Sequence, residues 1–240
     1  MKYVLDTHTH TVASGHAYSS IREMAKAASE KNLELLGITE HAPMMPGTCH
    51  DFYFQNLRVV DRELYGVELL LGVELNIVNY SGQVDLAKNI LKKMDIVIAS
   101  LHMPCISSGT IEENTAAYLH AMKNPYIDII GHPDDSRYEI DYKTLVLGAK
   151  EHNILLELNN SSLTPGGIRQ DTQKNDIEML NYCRKYNVPI VIGSDAHFDT
   201  YVGRHDFAEK LIQEIDFPEE LIVNKSVSEL KGFVNKYKHK

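Results

Sequence analysis

Seven short runs rich in Val, Ile and Leu punctuate this chain, at about residues 2–6, 33–38, 67–75, 94–100, 126–131, 153–158 and 187–193. Stretches of helical character lie between them, at about 19–31, 51–64, 83–92, 112–122, 141–152 and 173–186, and two more follow at about 204–214 and 226–236. Strand–helix alternation implies βα units and a mainly parallel sheet. Ile96-Val97-Ile98-Ala99 is apolar on both faces, as a parallel strand covered on both sides must be. Ser19 or Ser20 can cap the first helix, and Asp141 can cap one that begins near Tyr142. The Ser/Gly-rich stretch 161–167 is long enough to be a working loop. No repeat, low-complexity segment or linker is evident, so residues 1–240 are expected to form a single domain.

The ends of those runs carry the chemistry. His8 and His10 follow the first, His41 the second, Glu74 the third, His102 the fourth, His132 the fifth, and Asp195 with His197 the seventh. Residues i and i+2 of a strand point to one face, so His8 with His10, and Asp195 with His197, can each converge on one point. Any one of these histidines could be a hydrogen-bonded residue at a loop start, but their recurrence at successive strand ends points to a shared site. Glu74 closes an apolar strand, where a carboxylate is costly unless paired or coordinated. Glu68, near the start of the same strand, reads as a surface residue. In a closed barrel all C-terminal strand ends ring one mouth, whereas the outer strands of an open doubly wound sheet lie too far apart. The expected fold is therefore α/β, a distorted (βα)7 TIM-like barrel. With His16 from the following Gly/Ser loop, seven histidines and two carboxylates supply nine donors, enough for two or three ions. Nitrogen-rich donors suit Zn, Fe or Mn rather than Mg or Ca. The other histidines read as surface residues, with His50 and His205 as exceptions near the mouth.

Composition excludes some classes of function. The net charge is −9 and the pI about 5.7, with no basic run before the tail Lys236-Tyr237-Lys238-His239-Lys240. No stable nucleic-acid complex is expected, since that requires a basic patch. Three scattered cysteines form no disulfide framework or C-x-x-C signature and suit a reducing cytoplasm. No signal peptide or membrane-length apolar run is seen, so a cytoplasmic location is expected.

Taken together, Asp6-Thr7-His8-Thr9-His10, Thr39-Glu40-His41, Gly72-Val73-Glu74, Ser100-Leu101-His102, Gly131-His132-Pro133 and Gly193-Ser194-Asp195-Ala196-His197 resemble the motifs of the PHP (polymerase and histidinol phosphatase) domain family. Ser14 to Tyr18 and Leu158 to Ser162 look especially like its stand-alone bacterial phosphatases. The resemblance implies a trinuclear metal site, usually of zinc, with iron or manganese as substitutes. His8, His10, Glu74 and Asp195 would hold one ion. Glu74 would bridge to a second, held also by His102 and His132, and His16, His41 and His197 would hold the third. Glu40 stands where the family often has Asp, at a position read as either supporting the ligands from behind or peripheral to them.

The implied activity is hydrolysis of a small phosphomonoester by metal-activated water, with Glu74, Asp195 and His197 at the reacting centre. Arg169 is the candidate phosphate contact, weighed against a solvated loop arginine, and Arg137 and Arg204 are weaker candidates. Two alternatives are an amidohydrolase-type hydrolase, disfavoured because no lysine sits at a strand end, and a non-catalytic PHP accessory domain, disfavoured because every ligand is kept.

Overall fold

The structure, a computed structural model, describes residues 2–235. Seven parallel strands run in the order β1 (Leu5–Asp6), β2 (Leu35–His41), β4 (Val67–Asn76), β5 (Val97–Ser100), β6 (Ile129–Ile130), β7 (Leu155–Asn159) and β8 (Ile190–Gly193). A parallel bridge from Thr9 to Ala196 joins the segments beyond β1 and β8. That bridge nearly closes the barrel and rules out an open sheet. The tail residues 236–240 lie outside the described residues.

Helices cover the outside of the sheet. The first, α1 (Ile21–Glu30), starts at a capping box in which the Ser20 side chain accepts from the Glu23 amide and Glu23 accepts from the Ser20 amide at 2.6 Å. Asp141 caps α5 (Tyr142–His152) in the expected way. The others are α4 (Ile111–Ala121), α6 (Thr172–Tyr186) and α7 (Asp206–Glu214), with three short helices, α2 (Asp51–Asn56), α3 (Lys88–Leu91) and α8 (Val227–Lys231).

Three expected helices are shorter than their apolar spacing suggested, and the last of them, expected over 226–236, ends at Lys231 in α8. The one expected over 51–64 stops after α2 and a short 3-10 turn, because Glu63–Leu64 forms β3, antiparallel to β4. Tyr65 and Gly66, at φ 54° and 78°, make the two-residue turn between those strands. The helix expected over 83–92 shrinks to α3. Upstream of it, Asp85 accepts from the Asn76 and Met44 amides, each at 2.9 Å, so this segment is tied to the barrel mouth instead.

Inside the barrel each strand gives at least one apolar side chain to a compact plug, from Leu5 on β1 to Val191 on β8, and Val223, Leu230 and Val234 from the C-terminal segment pack into it. Leu230 is fully buried there. Leu230→Ala is expected to lower unfolding free energy by about 2–5 kcal/mol in a urea titration. Above the plug the period of two along the strands brings polar residues inward. Leu70, Gly72 and Glu74 share one face of β4, and Leu155 and Glu157 one face of β7. The plug is thus a dry floor beneath a layer of charge.

Candidate metal centre

Glu74 stands at the middle of that layer, fully buried. Its Oε1 accepts from the Ser100 hydroxyl at 2.7 Å and lies 2.8 Å from His132 Nε2 and 3.2 Å from His102 Nε2. Its Oε2 faces the other way, 2.8 Å from His41 Nδ1, 3.4 Å from His8 Nε2 and 3.5 Å from His10 Nε2. Asp195 Oδ1 lies 3.7 Å from His8 Nε2 and 3.4 Å from His10 Nε2. The His197 ring lies 4.4 Å from that of His10, and the His16 ring 4.8 Å and 4.9 Å from those of His41 and His197. All nine expected residues therefore lie in one cluster. Three tighter groups stand out within it: His8, His10 and Glu74; His41, Glu74 and His102; and His10, His41 and His197. His41 belongs to two of these groups.

Hydrogen bonds behind the rings decide which nitrogen each presents. His8 Nδ1 lies 2.7 Å from Glu157 Oε1, and a carboxylate only accepts, so Nδ1 carries a proton and Nε2 is the nitrogen left to bind a metal. The Ser14 hydroxyl donates to Glu40 Oε2 at 2.6 Å and accepts from the His41 amide at 3.0 Å. Its remaining capacity is to accept from His10 Nδ1, 3.1 Å away, which leaves His10 Nε2 bare. Asn76 donates its amide hydrogens to Ala42 and Asp85, so its Oδ1 accepts from His102 Nδ1 at 2.7 Å. His197 Nδ1 donates to the Asp195 carbonyl at 3.0 Å.

In all four rings Nδ1 carries a proton, which leaves Nε2 as the nitrogen that can bind a metal. Nε2 of His8 and Nε2 of His10 face each other at 3.1 Å. Glu74 Oε2, His41 Nδ1 and His102 Nε2 are buried and have no hydrogen-bond partner, close as they are. Lone pairs crowded this way repel one another unless a cation lies among them. A buried donor set of imidazole nitrogen and carboxylate oxygen, with its rings oriented from behind, fits divalent zinc, iron or manganese.

Electrostatics follow the same logic. Burial alone would raise Glu74, but His102, His8 and His41 hold its carboxyl well below the usual range. Asp195 is likewise held low against burial by His8, His10 and Arg169. Burial, with His41 and His197 nearby, keeps His10 well below the ordinary imidazole value and His16 down at about 4. Both therefore stay neutral in mildly acidic solution, the form in which imidazole binds metal.

Some expectations need correction. Of the two readings of Glu40 the supporting one holds: it is fully buried and orders the His10 loop by accepting from Ser14 and from the Thr11 amide at 3.0 Å. Arg169 is no solvated loop arginine: it is part-buried, with both terminal nitrogens 3.2 Å from Asp195 Oδ2. Arg137 also lines the cavity over the cluster but pairs with Asp135 at 2.6 Å, and Arg204 pairs with Asp206 at 2.9 Å in an adjoining cavity. His50 is an exposed cap of α2, and His205 is buried 3.9 Å from Asp6; neither joins the cluster. Glu68 pairs with Lys231 at 3.2 Å, far from the mouth.

Glu157 was missed from sequence. Besides His8 it accepts from the His132 amide at 2.9 Å, so it supports two neighbouring rings. Its signal was the one that marked Glu74, a carboxylate in an otherwise apolar strand. The arrangement also depends on Gly193, where a Cβ would overlap the Glu157 carboxylate and come within 2.9 Å of the His8 Cβ. Gly193→Ala is expected to cost about 1–3 kcal/mol of stability and to weaken metal binding, read by denaturant titration and metal analysis.

Two of the strained residues belong to the cluster: His132 and Asp195 have φ of 29° and 53°. Strain, burial and convergent donors at the C-terminal mouth of a barrel together describe a functional centre. The sequence matches the PHP domain family over residues 6–238. The chain belongs to the PHP domain family. A relative from Clostridium novyi, named a probable phosphatase, is 51% identical over 234 residues, covering 98% of this chain and 95% of that protein. Another probable phosphatase, from Caldicellulosiruptor bescii, is 47% identical, covering 96% of this chain and 95% of its own length. Among solved structures, a histidinol phosphate phosphatase of Lactococcus lactis, complexed with zinc, L-histidinol and phosphate, superposes with a TM-score of 0.60 at 19% identity. That match covers 90% of this chain and 95% of the other and shows the shared fold. No helix among the described residues is long and apolar enough to cross a membrane.

Proposed function

We propose that this PHP protein is a metal-dependent phosphatase that hydrolyses a small phosphomonoester at a site holding about three divalent ions, zinc foremost, with iron or manganese as substitutes. The observation that carries this reading is the convergence of imidazole nitrogens, oriented from behind, on both oxygens of one buried carboxylate. The probable phosphatases that match nearly the whole chain support the reaction class. His8, His10, Glu74 and Asp195 would hold one ion, Glu74, His102 and His132 a second, and His16, His41 and His197 a third. Ions held there would bring the pKa of water toward neutrality and offset the charge on phosphoryl oxygens.

The chain's own groups do the rest. Glu157, Ser14 and Asn76 keep the rings aimed before substrate arrives. Arg169, already at the cavity wall, offers its planar fork to a phosphate oxygen, and its pairing with Asp195 holds the guanidinium in place. The dry plug below keeps the reaction at the open face. An amidohydrolase-like mechanism lacks its bridging lysine, since no lysine lines the cavity among the described residues. A panel of phosphomonoesters, amides and lactones tests the assignment. Turnover confined to the phosphomonoesters is expected, and turnover of an amide or lactone with inert phosphomonoesters would overturn it.

A further inference from the structure

The cavity over the metal centre has a volume of about 420 Å³, in the range of small-molecule sites and larger than a phosphate needs. Its inner part is the histidine cluster with Arg169. Its outer part is a wall of Met45, Leu101, Met103, Pro104 and Ile168. Met45 and Leu101 form a buried base, whereas Met103 is 47% and Ile168 81% exposed. An isoleucine held that far into water at a cavity mouth gains nothing in the free protein. It gains contact area only when something apolar fills the space beside it.

The polar groups on the outer part are already engaged. Asp135 accepts from Arg137 Nε at 2.8 Å with one oxygen, and from the Arg137 and Gln170 amides at 3.1 Å and 3.2 Å with the other. Its pairing with Arg137 cancels the charge of both. Among the described residues no uncommitted carboxylate faces this part of the cavity to receive an ammonium, and Ser161 is the one hydroxyl on it. A polyol would leave most of its hydroxyls against carbon and sulfur.

Building on the phosphatase reading, we propose that the leaving group is an uncharged alcohol with an apolar or aromatic body, seated against Met103 and Ile168. Hydrolysis forms a P–O bond to the water oxygen and breaks the P–O bond to this alcohol. The alcohol oxygen keeps the electron pair and takes up a proton that came from the water.

Binding of phosphonates, which cannot be hydrolysed at the P–C bond, tests this on the metal-loaded protein by calorimetry. Phenylphosphonate is expected to bind about tenfold more tightly than methylphosphonate, the scale of discrimination by an apolar pocket. 2-Aminoethylphosphonate should gain nothing over methylphosphonate. In Ile168→Ser, whose parent side chain is too exposed to matter for folding, and in the Met103→Ser/Ile168→Ser pair, the phenyl-to-methyl ratio should shrink toward one at unchanged metal content. Equal binding of phenyl and methyl probes by the parent, tighter binding of the amine, or an unaltered ratio in the variants overturns the proposal and leaves the phosphatase reading standing. If no phosphonate binds at all while metal content is normal, the phosphatase reading falls and this one falls with it.

Discussion

Glu74→Ala is expected to lose bound metal and phosphatase activity together, with activity falling at least about a hundredfold. No other side chain in the cluster divides its atoms as Glu74 does. Oε1 faces His102 and His132, and Oε2 faces His8, His10 and His41. Alanine would remove both oxygens and leave five imidazoles around a small cavity, with Asp195 beside His8 and His10 as the remaining carboxylate. Cations held there would then face one another with no carboxylate between them to offset their repulsion. Metal analysis of the purified variant, run beside a phosphomonoester assay, checks this. Full activity in Glu74→Ala sinks the mechanism, and full metal content with no activity would assign Glu74 to the reaction step rather than to metal binding.

Glu157→Gln should act one layer further back. The carboxylate accepts from His8 Nδ1 at 2.7 Å and from the His132 amide at 2.9 Å, and both of its partners therefore depend on an acceptor. A glutamine amide keeps the shape but supplies one oxygen and one NH2 group. Whichever way it turns, it presents a donor to one partner, so either His8 Nδ1 or the His132 amide loses its acceptor. Replacing such a supporting group costs about 10–100-fold in metal affinity. Activity should therefore be low at limiting zinc and recover substantially when zinc is raised, a recovery that Glu74→Ala cannot show. An unchanged zinc dependence would remove Glu157 from the support of the site.

The contrast between these two carboxylates shows what was legible in the sequence. Glu74 closes the apolar run of its strand, two residues before β4 ends, and a charged residue there invites attention. Glu157 sits inside Leu155-Leu156-Glu157-Leu158 and faces into the barrel only because Leu155 faces the plug. Strand periodicity could have placed it, once the inward face was known. The seven strands were readable because parallel strands buried on both faces are continuous apolar runs. The helices expected over 51–64 and 83–92 were misjudged because a tight turn at Tyr65-Gly66 and the bonds of Asp85 override apolar spacing. Arg169 was named from its place in the Ser/Gly loop, but its pairing with Asp195 could not be read from sequence. Its loop lacks periodicity, and its partner Asp195 lies 26 residues away.

The most direct test of the account is metal stripping and reloading of a single preparation, with metal content and phosphomonoester hydrolysis measured at each step. The account predicts that a chelator abolishes hydrolysis, and that zinc, iron or manganese restores it as loading approaches about three ions per chain. Hydrolysis that persists at the same rate in the metal-free protein would contradict it.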